Sequence, residues 1–158
     1  MTYLIVLAIY LVGLFLLAWM SHRSMGVPTL TLAAGALMAS LWTDSLTPIV
    51  AESGVVIVQP PLTSIVSIVL TLLPALIVMF RAHKVSSHYR SIVGSLVFAV
   101  LGVMLTYGAF SNAVVLDEAS KQYVLQIVNY QNMIITVCVV FALLEVLFYR
   151  KPIVHSKR

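Results

Sequence analysis

Five apolar runs, each long enough to cross a lipid bilayer as a helix, constrain the fold of this chain more than any other feature. A helix rises about 1.5 Å per residue, so about 20 residues cross a hydrocarbon core about 30 Å thick. Backbone groups in lipid must be satisfied within their own segment, which favours helices. The sequence therefore predicts an all-α, polytopic membrane helix bundle that forms a single transmembrane domain over residues 1–158. The five predicted spans are 2–20, 28–46, 61–80, 91–110 and 133–149.

The composition leaves too few charged residues for the surface of a soluble domain. Hydrophobic residues make up 61% of the chain and charged residues 9%, so the apolar surplus is expected to face lipid. The basic residues are scattered in short clusters, which argues against a nucleic-acid partner. No Lys or Arg precedes the first run and no small-residue cleavage site follows it, so we interpret this run as a retained helix rather than a signal peptide.

The basic residues predict the orientation of the chain in the membrane. With five spans, eight of the nine Lys and Arg residues fall in the first linker, the third linker and the C-terminal tail 150–158. Four of the five acidic residues fall on the opposite side. Because cytoplasmic segments are enriched in Lys and Arg, the sequence predicts a multi-pass plasma-membrane protein with its N-terminus outside and its C-terminus in the cytoplasm.

Two segments between the runs have a distinct character. Residues 115–129 carry polar side chains on one side of a helix and apolar ones on another, which predicts an interfacial amphipathic helix before the last span. The connector 43–60 contains an apolar patch at residues 54–58 that is too short to span. The sequence leaves open whether this patch is re-entrant or interfacial.

Asp44 falls near the end of the second predicted span, where its carboxylate can reach the headgroups. Glu145 is the only other acidic or basic residue inside a predicted span, which makes it a candidate intramembrane polar site. Two interpretations are open. Glu145 could bind a proton or a cation, or its carboxylate could reach the headgroups or pair with Arg150 near the helix end. We favour the second interpretation because a helix rich in Leu, Val and Phe tolerates one carboxylate near its end.

The third run carries a polar face made of Ser64, Ser67, Thr71 and Pro74, which follow each other at helical spacing. Pro74 has no amide hydrogen, so the Leu70 carbonyl needs a hydroxyl or a water as its donor. We therefore expect this face to point into the bundle. It could border a polar path, but hydroxyl contacts between helices are the favoured interpretation.

Small residues at helical spacing predict where helices approach closely. The second run contains Gly35 and Ala39, and the fourth contains Gly94 and Gly102. Small residues about four positions apart permit close backbone contact between membrane helices. Packing inside the bundle is favoured, and a seam between copies of the chain or with another membrane protein is the alternative.

The linkers supply basic residues but no catalytic motif. Neither a phosphate-binding loop nor an HExxH sequence occurs, and the Gly94-Ser95 pair lacks the second glycine of a nucleophile elbow. The sequence thus predicts a protein that is not an enzyme and needs no cofactor or metal. The residues expected to bind anionic headgroups are Arg23, Arg81, Lys84, Arg90, Arg150 and Lys151.

Two stretches resemble the colicin V production protein family of small bacterial inner-membrane proteins. Residues 3–42, "YLIVLAIYLVGLFLLAWMSHRSMGVPTLTLAAGALMASLW", resemble its opening helical hairpin with a short basic turn. Residues 80–110, "FRAHKVSSHYRSIVGSLVFAVLGVMLTYGAF", are similar to its basic linker and the glycine-bearing helix that follows. The resemblance implies an inner-membrane role in export, envelope integrity or peptidoglycan-linked processes. A small transporter or channel subunit that uses Glu145 and the third-run hydroxyls is the alternative function.

Overall fold

A computed structural model describes residues 2–21, 23–52, 61–82, 88–113 and 118–148, which contain five helices. No β-strand occurs in these ranges. Each helix contains a segment long and apolar enough to cross a membrane. The prediction of an all-α bundle is confirmed, and the five apolar helices are consistent with a multi-pass membrane protein. The helices are α1 (Thr2–Ser21), α2 (Gly26–Glu52), α3 (Leu62–Arg81), α4 (His88–Ala113) and α5 (Glu118–Phe148).

The helices alternate in direction, so the bundle has two distinct ends. At one end Arg23, between α1 and α2, reaches Ala82 after the end of α3, and the start of α2 meets the last turns of α5. We call this the Arg23 end, and the opposite one, which carries Asp44, the Asp44 end. α1 begins at the Asp44 end and α5 finishes at the Arg23 end, as an odd number of crossings requires. Which end faces the cytoplasm stays a prediction from the charges.

α4 lies at the centre of the bundle and packs against the other four helices. Half of its residues between Ser91 and Ser111 are buried, against 11% in the corresponding segments of α1 and α5. Side chains of Leu32, Ala75, Phe98 and Leu101 fill the middle of the bundle and are fully buried. α1 and α5 therefore present most of their surface to lipid or to another protein.

α2 is longer than its apolar run. The predicted span ends at residue 46, but the helix continues through Pro48 to Glu52, so the first part of the predicted connector is helical. Pro48 removes a single helical hydrogen bond. Thr43 and Thr47 each donate a hydroxyl hydrogen bond to the carbonyl four residues earlier. The helix therefore extends past the apolar run that predicted it.

The last helix joins two segments that the sequence treats separately. α5 has 31 residues and is about 46 Å long, which exceeds a hydrocarbon core of about 30 Å. Residues 118–129, predicted as an interfacial helix, continue into the last span without a break. Their position at the membrane interface stays a prediction. Residues 54–58, 115–117 and the tail 150–158 lie outside the described residues.

Candidate functional site

The polar face of α3 points towards α2, as its spacing predicts. Ser64 and Thr71 are 4% and 1% exposed, and Ser67 and Pro74 are half-buried. The Thr71 hydroxyl donates to the Ser67 carbonyl at 2.8 Å. This hydroxyl thus bonds within α3 and does not link α3 to α2.

Gly35 provides the contact between α2 and α3 at mid-bundle. A Cβ atom at Gly35 would lie 2.9 Å from Pro74 Cγ and 3.1 Å from the Leu70 carbonyl oxygen, and would also meet the Thr71 carbonyl. The Leu70 carbonyl is the one that Pro74 leaves without an amide donor. A Cα hydrogen of Gly35 therefore faces the Leu70 carbonyl oxygen, as in the Cα–H···O contacts found between helices. The sequence had led us to expect a water or a hydroxyl at this position.

A polar crevice of about 270 Å³ opens between α2, α3 and α4 at the Asp44 end, and we call it the Asp44 crevice. Ser64 and Ser67 line it, whereas Thr71 and Pro74 lie deeper, at the contact with Gly35. Reasoning from the sequence placed Asp44 near the end of the second predicted span, at the start of the connector, and assigned it no site. The signal it missed is the spacing of Ser40, Thr43 and Asp44, which share one face of α2. The lining residues are Ala39, Ser40, Thr43, Asp44, Thr63, Ser64, Ser67 and Ala109.

Glu145 lies at the opposite end of the bundle and is half-buried. A Cβ atom at Gly94 would lie 3.7 Å from Glu145 Oε2, and one at Gly26 would lie 3.4 Å from Glu145 Cβ. Glu145 also lines a cavity of about 70 Å³ together with Ser24, Gly26, Val27 and Val146. The carboxylate is thus packed against the hairpin between α1 and α2 and against α4. Arg150, its predicted partner, lies outside the described residues.

The start of α2 supplies a favourable electrostatic environment for Glu145. The first bond of the helical ladder runs from the Thr29 amide to the Met25 carbonyl at 2.9 Å. The amides of Gly26 and Val27 precede that bond, and Pro28 has no amide hydrogen to leave unsatisfied. The exposed amides give a helix N-terminus a partial positive charge. The Glu145 carboxyl group therefore lies beside the positive end of α2, which favours its ionised form.

The two polar sites are separated by packed side chains. The Asp44 crevice and the Glu145 cavity lie at opposite ends, and the buried residues Leu32, Phe98 and Leu101 lie between them. Within the part of the chain that the structure describes, Glu145 and the hydroxyls of α3 therefore do not meet in one site. A polar path formed by both, as the sequence suggested, is not present among these residues.

Arg23 binds the end of α3. Its guanidinium donates hydrogen bonds to the carbonyls of Phe80 and Ala82, the latter at 2.9 Å. The last carbonyls of a helix have no amide donors and carry partial negative charge, so a cation here caps α3. Arg81 is exposed at the same end. Arg90 lies in the first turn of α4, while Lys84, Arg150 and Lys151 lie outside the described residues.

The glycines of α4 admit neighbouring helices. A Cβ atom at Gly94 would lie 3.0 Å from Met25 Cβ, and one at Gly102 would lie 2.9 Å from Leu14 Cδ1. Helices of this same chain therefore occupy the small-residue faces at Gly35, Gly94 and Gly102. At these three positions the glycines pack inside the bundle, which is the interpretation that the sequence favoured.

Comparisons with known proteins returned no matching family model, curated protein or solved structure. The likeness of residues 3–42 and 80–110 to the colicin V production family thus stays a prediction from those residues. Among the described residues, no group of three or more His, Cys, Asp or Glu side chains could hold a metal ion.

Proposed function

We propose that this chain is a non-catalytic membrane protein that acts as an assembly, export or envelope-maintenance factor. The observation that carries the proposal is the packed middle of the bundle. Conduits need a wetted path between the two sides of the membrane, and the described residues fill that region with Leu32, Ala75, Phe98 and Leu101. A closed bundle of this kind suits a protein that acts by binding other proteins.

The outer surfaces of α1 and α5 support the same proposal. Exposed apolar side chains cover both helices, among them Ile9 at 67% and Leu147 at 72% exposure. Such surfaces suit either lipid or the helices of a partner. The likeness to the colicin V production family adds the expectation of a bacterial inner membrane and an envelope-related role.

Co-purification from native membranes tests the assembly function. A tagged chain is extracted in mild detergent, and its partners are quantified by mass spectrometry. We expect a membrane protein at fixed stoichiometry whose own steady-state level falls at least several-fold when this chain is deleted. A chain that purifies alone, with every membrane protein unchanged in the deletion strain, would contradict the proposal.

A small transporter or channel subunit is the second candidate, and one observation favours it. The Asp44 crevice and the Glu145 cavity lie at opposite ends of the bundle, as expected if each could open in turn. Ion flux into proteoliposomes tests this function by comparing the wild type with Glu145→Gln and the control Glu52→Gln. Flux that Glu145→Gln abolishes and Glu52→Gln retains would establish transport. Equal absence of flux in all three would exclude it for the ions tested.

A further inference from the structure

We propose that the Asp44 crevice binds a primary ammonium group, carried by a small amine or by a lipid headgroup. The inference goes beyond the proposed function and holds whether the chain assembles other proteins or transports solutes. It rests on three properties of the crevice: its hydrogen-bonding capacity, its charge and its position in the bundle.

The α2 wall of the crevice offers acceptors. Ser40 Oγ donates its hydrogen to the Leu37 carbonyl at 2.8 Å, and Thr43 Oγ1 donates to the Ala39 carbonyl at 2.6 Å. A hydroxyl has one hydrogen and two lone pairs, so these two oxygens can only accept further bonds. An ionised Asp44 carboxylate also only accepts. Three adjacent acceptors match the three donors of a primary ammonium group.

The charge of the crevice selects a cation. Asp44 is the only charged residue among the described residues that line it, and none of these is Lys, Arg or His. Pro48 adds a further acceptor, since it leaves the Asp44 carbonyl without its helical amide donor. The described side chains of Arg23 and Arg81 lie at the other end of the bundle. A carboxylate beside a low-dielectric bundle attracts positive charge more strongly than one in bulk water.

The size and position of the crevice suit an organic ammonium. Its volume of about 270 Å³ far exceeds the ~30 Å³ share of one water molecule, and one carboxylate is few for a divalent metal ion. Trp42 and Tyr130 are exposed at the same end, where aromatic side chains mark the membrane interface. The crevice thus opens at headgroup depth, within reach of both dissolved amines and lipid headgroups.

Thermal unfolding of the full-length chain in a maltoside detergent tests the proposal. Methylammonium, tetramethylammonium and sodium chloride are compared at equal ionic strength. Tetramethylammonium keeps the charge but has no N–H donor. We expect methylammonium alone to raise the Tm saturably. Asp44→Asn should weaken the apparent affinity about tenfold or more, since hydrogen bonds to charged groups are strong. The exposed acid of the same helix is the control, and Glu52→Gln should bind as the wild type does.

Lipid nanodiscs distinguish the two sources of the ammonium group. If a headgroup occupies the crevice, phosphatidylethanolamine raises the Tm above phosphatidylcholine in the wild type but not in Asp44→Asn. If a dissolved amine is the ligand, the protein has the same Tm in both lipids, and methylammonium raises that Tm in each of them. Asp44→Glu should retain binding and shows that the loss in Asp44→Asn is not misfolding. Equal shifts with all three salts, no shift in any arm, or an unaltered response in Asp44→Asn would overturn the proposal.

Discussion

Gly35 of α2 lies directly against Pro74 of α3, with 2.9 Å between Pro74 Cγ and the position that a Cβ atom at Gly35 would occupy. The contact joins two features that are unfavourable in an isolated helix. Glycine costs conformational entropy, and proline removes a backbone hydrogen bond. Together they permit close approach of α2 and α3 beside the carbonyl that proline leaves free. The pair closes the middle of the bundle between its two polar sites.

Gly35→Ala should destabilise the bundle, because the added methyl group meets backbone carbonyls that cannot move aside. Overpacking of this kind costs about 1–3 kcal/mol, and the loss is measured as a fall in Tm in detergent. Gly13→Ala is the matched control, since nothing lies within 4 Å of a Cβ atom at Gly13. It should leave stability unchanged or raise it by about 0.5–1 kcal/mol. Equal losses in both variants would show that the contact at Gly35 is unimportant.

Arg23→Met should lower stability by about 1–2 kcal/mol, because it removes the hydrogen bonds to the Phe80 and Ala82 carbonyls. This loss lies at the lower end of the range for hydrogen bonds from charged donors, because Arg23 is half-exposed to solvent. Arg81→Met removes the same charge at the same end from an exposed position, and should change stability by less than about 0.5 kcal/mol. Denaturation in detergent compares the two. If both variants lose equally, general charge rather than capping of α3 is responsible.

The sequence predicted the spans well because their signal is local. Apolar length identifies all five helices, and helical spacing identifies the inward face of Ser64 and Thr71 on α3. Contacts between distant residues left no such signal. Arg23 and Phe80 are 57 positions apart. Neither segment alone therefore indicates that Arg23, which was predicted to bind lipid headgroups, instead caps α3. The Asp44 crevice likewise needs α2, α3 and α4 together.

Helix ends were predicted less well for a related reason. Hydropathy measures where a helix leaves lipid, whereas the helix itself ends where its hydrogen bonds stop. α2 continues through Pro48 to Glu52, beyond the apolar run. The predicted span already included Asp44, the acid of the crevice, but the connector prediction was wrong over residues 47–52, which are helical.

Glu145→Gln should lower stability, whereas Glu52→Gln should not. Glu145 lies beside the N-terminal end of α2, where negative charge is favourable, whereas Glu52 is the last residue of α2, where it is unfavourable. Neutralising Glu145 should cost about 0.5–1 kcal/mol, and neutralising Glu52 should be neutral or stabilising by a few tenths. Tm values at low salt measure both effects. A loss of stability from Glu52→Gln as large as that from Glu145→Gln would contradict this account.

Cysteine labelling in intact cells tests the predicted orientation. Glu52 and Tyr89 are exposed at opposite ends of the bundle, so Glu52→Cys should react with an impermeant thiol reagent and Tyr89→Cys should react only after the membrane is opened. Both variants are made in a Cys138→Ala background, since Cys138 is the only native thiol. Lys121→Cys and Lys84→Cys extend the test to the fourth and third linkers, with labelling expected at 121 alone. The reverse pattern would place the basic end outside. Labelling of Glu52→Cys and Tyr89→Cys from the same side would contradict the five-span arrangement itself.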